Sequence, residues 1–252
     1  MSLRACCFAL ALPILTGVMW LADSGAVRAG NFTGVVELFT SQACSSCPPA
    51  DAELARLDEA GEVLTLSYHI DYWNYLGWVD TLSSRASTER QYGYASTLGR
   101  KNVYTPQAVV NGRDHTNGAD GAAIDSLVTT LAAEGAGLTV DVSIIRDADG
   151  LSIAVGKGVG KANIVAVYFD DITTVDIKRG ENAGRAITYY HSVRDMETIG
   201  MWSGEAVNLK LPTSVMSSPP GRGCAILLQV VDENGAPGRI LGAAMIGPKT
   251  SI

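Results

Sequence analysis

Histidine is scarce in this chain, at three in 252 residues, and its Cys-x-x-Cys motif, Cys44-Ser-Ser-Cys47, has no second copy. A structural zinc site draws four ligands, commonly from two cysteine pairs or from one pair and two closely spaced histidines. His69, His115 and His191 are too widely separated to supply that pattern. Basic residues are also in deficit, with 19 Lys and Arg against 26 Asp and Glu, a formal net charge of −7. This balance argues against nucleic acid or anionic lipid as a partner, because both are held through clustered positive charge. Internal repeats and low-complexity tracts are absent as well.

The first 29 residues, MSLRACCFALALPILTGVMWLADSGAVRA, place one arginine before an apolar run and small residues after it. That order predicts a secretory signal peptide with a cleavage site at Ala29, and Val27 stands two before it. The alternative is a retained anchor, for which the run from Ala5 to Ala22 is borderline in length. A lipoprotein reading of Cys6 fails, since no apolar region precedes it. Cleavage removes Cys6 and Cys7 and leaves Cys44, Cys47 and Cys224. It also takes Arg4, Arg28 and Asp23, so the net charge becomes one unit more negative. Export to the periplasm or beyond permits a disulfide between neighbouring cysteines. Cys224, in the apolar run GCAILLQVV, is then left over as a small core residue.

Two grammars follow. From Thr33 to about Glu134, compact apolar runs alternate with helical spacing. Strands are expected at VVELF (35–39), EVLTLSYHI (62–70) and TPQAVVNGRD (105–114), with a short fourth after the Asn-Gly turn. Helices are expected at ADAELARLDEA (50–60), SSRASTERQYGYASTLG (83–99) and DGAAIDSLVTTLAA (120–133). Strands separated by helices imply an α/β sheet. After EGAG (134–137) the period changes to two. A hairpin at 138–155, with an Asp-Ala-Asp-Gly turn, and strands at 163–170, 186–193, 206–211, 224–232 and 239–246 predict an all-β sandwich-like second domain. The expected division is therefore a signal peptide over 1–29, an α/β domain over 30–136 and a β domain over 137–252.

The cysteine pair stands where a strand ends and a helix begins. A helix start offers free N–H groups and a positive dipole end, both of which stabilise a thiolate. Cys44 would carry the lowered pKa and attack; Cys47, one turn inward, would resolve the mixed disulfide. Pro48 and Pro49 are compatible with the first helical turn, where the N–H that proline lacks is unpaired anyway. A static disulfide is a second reading, although a loop this short gains little from cross-linking. Copper bound by Cys44, Cys47 and His69 is a third.

Other segments concentrate chemistry-bearing residues. YHIDYWNYLGWVD (68–80) gathers His69, Asp71, Tyr72, Trp73 and Trp78 just past the second strand, where ligand crevices form in α/β sheets. It reads either as a recognition surface for an extended polypeptide or apolar molecule, or as a hydrophobic cluster packing a loop. GENAGR (180–185) is a Gly- and Asn-rich turn ahead of His191 and Arg194, suited to a hairpin, an anion or contact with the other domain. His115 occupies a loop with no partner evident in the sequence.

Residues 33–134 resemble a thioredoxin-like domain in the order of VVELF, ACSSCP, TLSYHIDYW and TPQAVVNG. The segments ELFTSQACSSCPPAD, YHIDYWNYLGWVD, RQYGYA, YTPQAVVNG and RGENAGRAITYYHSVRDM are similar to those of a secreted bacterial group, the domain of unknown function twelve-twenty-three. The resemblance implies a thioredoxin-like fold and a redox site. It also implies a cis bond at Thr105-Pro106 facing the cysteines and aligning a substrate backbone. Glu37 resembles a buried carboxylate that assists proton transfer in such proteins, though it lies one residue further from the first cysteine than is usual; its alternation with Val36 and Leu38 equally suits a solvent face. The Ser-Ser dipeptide departs from the better-known relatives. Together these features predict an exported thiol–disulfide oxidoreductase that acts on exported protein thiols or disulfides. The expected redox centre is the cysteine pair itself, with no metal or other cofactor and no membrane contact beyond the signal peptide. The alternative is a non-enzymatic binding protein with a static disulfide.

Overall fold

The computed structural model describes residues 32–147, 150–212 and 222–248; the expected signal peptide lies outside these, as do two residues of the expected 147–150 turn. Strand β1 (Gly34–Thr40) is buried along its whole length, between β2 (Val63–His69) in parallel and β3 (Gln107–Val110) antiparallel. β4 (Asp114–Asn117) extends this edge. β1 reads as a near-continuous apolar run because both of its faces are covered, whereas β2 alternates Leu64, Leu66 and Tyr68 with Thr65, Ser67 and His69, all of them buried.

Helices α1 (Pro48–Ala60) and α3 (Gly121–Ala133) cover one face, setting Leu54, Leu57, Ile124 and Val128 against Val36, Leu38 and Ala108. Each such buried side chain contributes roughly 1.5–3 kcal/mol of apolar burial. The helix α2 (Arg85–Thr97) covers the other face, where Tyr94 packs among Val35, Phe39, Leu66 and Tyr68. The ends are set locally. Cys47 is the N-cap of α1, and Gly61 closes that helix with φ 69°, its N–H donating to the Leu57 carbonyl. Ser84 and Asp120 cap α2 and α3 with side-chain oxygens that accept from Ser87 and Ala123 amides.

Strands β5 (Val142–Asp147), β6 (Gly150–Val155) and β9 (Val207–Pro212) form a three-stranded antiparallel sheet. β7 (Ala162–Asp176), β8 (Ala186–Trp202), β10 (Arg222–Val231) and β11 (Pro237–Ile246) do not form a sheet of their own. They continue the first one, in the order β11-β10-β7-β8-β2-β1-β3-β4. The join is narrow: β8 meets β2 in parallel through one ladder pair, Ser67 and Ser192. Both hydroxyls there are buried with no hydrogen-bond partner among the described residues.

The expected fold, an α/β thioredoxin-like domain followed by an all-β sandwich-like domain, is therefore corrected. The described residues are mostly β, an eight-stranded mixed sheet plus a small three-stranded one, with three helices of 13 residues each among them. The period of a strand shows which face is buried but not which strand lies beside it. Nor does it disclose that β7 and β8 run to 15 and 17 residues, because the added lengths, 171–176 of β7 and 194–202 of β8, hold mostly exposed or half-buried positions. Something of a sandwich survives: Val142, Ile144, Leu151 and Ile153 of the small sheet pack on Ile164, Ala166, Ile226 and Leu228 of the large one. Among the described residues, no helix is long and apolar enough to cross a membrane.

Candidate functional site

Cys44 and Cys47 are joined as a disulfide, with Cα atoms 5.4 Å apart, in the turn between β1 and α1. Cys47 is fully buried and Cys44 is 6% exposed, beside exposed Ser45 and Ser46. The two sulfurs have different surroundings. A disulfide sulfur can only accept, so the Thr105 hydroxyl donates to Cys44 Sγ at 3.4 Å and the Ser46 hydroxyl at 3.3 Å. No hydrogen bond to Cys47 Sγ is found among the described residues. Thr105 is itself held by the Trp73 indole N–H, 2.7 Å from its Oγ1. The Thr105-Pro106 bond is cis.

Beneath the disulfide lies a group of buried ionisable side chains. Asp51 sits one helical turn after Cys47, and its Oδ1 accepts from Thr40 Oγ1 at 2.7 Å. Burial pushes its carboxyl up to about 7, against the opposing pull of His69 and the Thr40 hydrogen bond. His69, at the end of β2 and fully buried, places Nδ1 2.8 Å from Asp80 Oδ2. Burial raises the Asp80 pKa, but His69 and the amides of Gln42 and Leu82 outweigh it and hold the carboxyl below its ordinary range. The Tyr189 ring packs edge-on against His69, with centroids 4.7 Å apart. Asp51 Oδ2, His69 Nε2 and the Tyr189 hydroxyl are all buried without a partner among the described residues.

The aromatic segment divides. Trp73 reaches the site through Thr105, and Trp78 through the Gln42 side chain, 2.8 Å from its indole N–H. Tyr72 donates to Gln91, which also binds the Tyr104 carbonyl and Gln107 and so braces the approach to β3. Asp71 turns to α2 instead, with its Oδ1 accepting from Thr88 at 2.6 Å. Glu37 is fully buried, so the solvent-face reading does not hold. Its partners are Arg90, whose Nε lies 2.8 Å away, and the Tyr94 hydroxyl, both on α2. Arg90 and Tyr94 in turn bind Gln229 of β10. Glu37 thus ties β1 to α2 and β10.

His115 does have partners, Tyr104 and Arg100, each 2.8 Å away. His191 lies between Thr65, Asp58 and Asp171 on the flank of β2. Arg194 pairs with Asp170 at 3.5 Å. Cys224 is free and fully buried, and burial pushes its thiol up to about 12. No group of three or more His, Cys, Asp or Glu able to hold a metal ion occurs among the described residues. Three features went unseen in the sequence. Asp51 gives no signal of its own, because the helix dipole favours any acid in a first turn, yet it shares the apolar face of α1 with Leu54. Asp80 was not singled out. Asn182 and Glu181, within the noted GENAGR turn, reach the cysteine loop from the far half of the chain.

Fold and site together define a mixed-sheet protein with a shielded Cys-x-x-Cys disulfide at a strand-to-helix turn. The chain belongs to the family described as "Protein of unknown function (DUF1223)", whose family model matches residues 35–229. It is similar to a protein of Agrobacterium tumefaciens known from its crystal structure, with 49% identity and a TM-score of 0.81, over 88% of this chain and 97% of that one. A second solved structure, HBP35 of Porphyromonas gingivalis, is 14% identical with a TM-score of 0.56, over 87% of this chain and 77% of that one, a likeness of fold alone. No curated protein matches the chain significantly.

Proposed function

We propose that the protein is a thiol–disulfide oxidoreductase, exported to the periplasm or secreted. The observation that carries this reading is the asymmetry of the pair: two hydroxyl donors converge on Cys44 Sγ and, among the described residues, none is found at Cys47. Donors aimed at a sulfur stabilise it most when it bears a full negative charge, so they favour a Cys44 thiolate over a Cys47 thiolate. In the reduced protein, the Cys44 thiolate attacks one sulfur of a substrate disulfide, the substrate S–S bond breaks, and the substrate's other sulfur leaves as a thiolate. Cys47 then loses its proton and attacks Cys44, which breaks the mixed disulfide and releases the second substrate thiol. The protein ends oxidised and the substrate reduced, and the reverse sequence of steps oxidises a substrate dithiol. Asp51, one turn from Cys47 with a carboxyl near 7, suits the holding of that proton better than Glu37, whose hydrogen bonds go to Arg90 and Tyr94 of α2. Trp73 and Thr105 form the wall against which an extended polypeptide would lie. The N-terminal order of arginine, apolar run and small residues supports export.

The experiment is the reduction potential of the pair, from equilibration in thiol redox buffers followed by mass-tagging of free thiols. A value between roughly −270 and −120 mV is expected of a working exchange protein. Cys44→Ser should abolish exchange, and Cys47→Ser should accumulate mixed disulfides. Full exchange by Cys44→Ser would rule the reading out. The near-complete burial of both sulfurs favours a second reading, a static disulfide in a binding protein. A potential below about −300 mV would select it.

A further inference from the structure

The hairpin of β7 and β8 outruns the body of the sheet, pairing Ile172 with Tyr190 and, at its end, Asp176 with Ala186. Its tip, residues 177–185, closes on itself through hydrogen bonds from the Ile177 amide to the Arg185 carbonyl and from the Gly184 amide to the Ile177 carbonyl. Gly180 and Gly184 both have φ of 80°, a left-handed conformation that other residues adopt at a cost. This tip lies on the cysteine loop. Asn182, 1% exposed, donates from Nδ2 to the carbonyls of Gln42 and Cys44, each at 2.9 Å. Its Oδ1 accepts from Arg185 at 3.3 Å. Glu181 Oε2 accepts from the Ser45 amide at 3.1 Å.

These contacts bear on the chemistry of the neighbouring sulfur. A thiolate at Cys44 is stabilised by N–H groups and destabilised by negative charge. The amide immediately after Cys44 is already taken, and its acceptor is a carboxylate. Asn182 meanwhile fixes the carbonyls of Gln42 and Cys44, so the loop cannot turn that amide elsewhere without exposing two unpaired acceptors. The geometry points to a positioning role for the hairpin tip: through Glu181 and Asn182 it restrains formation of the Cys44 thiolate and so sets the redox poise of the pair. The biological meaning of this role rests on the oxidoreductase reading above; its measurement does not. The other groups around the pair are Asp51 on α1, His69 and Asp80 beneath it, the hydroxyls of Ser46 and Thr105, and Arg185 within the tip. All of them are unchanged in the variants that test it.

The test uses the reduced full-length mature chain. Glu181→Gln keeps an acceptor for the Ser45 amide and removes the charge. Alkylation of Cys44 as a function of pH should show about a threefold larger thiolate fraction near neutral pH. Equilibration with glutathione should shift toward the reduced form by at most the same factor, a rise in potential that approaches about 14 mV only at pH values where the thiolate predominates. The difference from wild type should shrink at high salt, because Glu181 is exposed. In an Asn182→Ala background the tip is no longer anchored, and Glu181→Gln should then have little further effect. An unchanged thiolate fraction in Glu181→Gln would overturn the inference, as would a full threefold shift that persists without Asn182. A shift in Glu181→Gln combined with no exchange by the wild-type chain would support the positioning role and remove only the oxidoreductase reading.

Discussion

Thr105 donates its hydroxyl to Cys44 Sγ at 3.4 Å, across 61 residues of chain. Because Trp73 donates to the same hydroxyl oxygen, the Thr105 proton is left free to point at the sulfur. Thr105→Val preserves shape and removes the donor. A hydrogen bond of this kind contributes about 1 kcal/mol, so the variant should show up to roughly a fivefold smaller Cys44 thiolate fraction, with exchange slowed by a smaller factor of about two to three because a thiolate of higher pKa is the better nucleophile. Thr105→Ser should stay near wild type. Equal alkylation rates for Cys44 in the Val variant and wild type would refute this.

Asp51 should make stability depend on pH in an unusual direction. Its carboxyl titrates near 7 in the folded protein against an ordinary 3.8, so the native state keeps a proton that the unfolded chain releases. Stability from this group is full below about pH 4, falls as pH rises through the window to about 7, and is flat above it. Asp51→Asn abolishes the titration and retains an acceptor for Thr40. The variant should gain on wild type between pH 4.5 and pH 8, by on the order of 4 kcal/mol at most. Urea unfolding at the two pH values measures the gain. A difference that does not change with pH would show that Asp51 is not held protonated.

Glu37 offers a contrast with Asp51, since its hydrogen-bond partners Arg90 and Tyr94 lie on α2. Glu37→Ala leaves Arg90, with 8% of its side chain exposed, without its countercharge. Breaking a buried pair in this way costs about 3–5 kcal/mol. Denaturation should register that loss while the reduction potential of the cysteine pair stays where it was. A large change in potential would instead return Glu37 to the redox chemistry.

Cys224 should be silent toward exchange. It is enclosed between β7 and β11 and its thiol is pushed up to about 12. Iodoacetamide should label it only after unfolding, even when the Cys44–Cys47 disulfide has been reduced. Labelling in the native protein, at the rate of an exposed thiol, would show that the core opens there.

Much of the near half was legible because its signals are local. Two prolines after Cys47 suit the first turn of α1, and the spacing of Leu54 and Leu57 gives its buried face. The strands from 35 to 39 and 62 to 70 appear within a residue or two of their expected limits. What escaped is what depends on distant neighbours. Val165 sits in a continuous apolar run and Val193 between Ser192 and Arg194, and nothing in either pattern says that β8 will lie against β2. At the site, Cys44 and Cys47 stood out through their spacing. Asp51 did not, since an acid in a first helical turn has an ordinary electrostatic explanation. Asn182 sat in a turn that any hairpin might use, and its role exists only because β7 and β8 are long enough to carry it across.

The Ser67–Ser192 pair gives the molecule a fault line. Every other neighbour in the large sheet is joined by at least four ladder pairs; here there is one, and the hydroxyls of its two serines have no partner among the described residues. Under tension or mild denaturant the sheet should part along this line first, and amide exchange along the β2–β8 border should be faster than between β1 and β2. The two strands of the hairpin arm span that gap from the far side and grip the cysteine loop at their tip. The arm is thus a strut as well as a neighbour of Cys44, and the piece of the protein that guards its sulfur also keeps its halves in alignment.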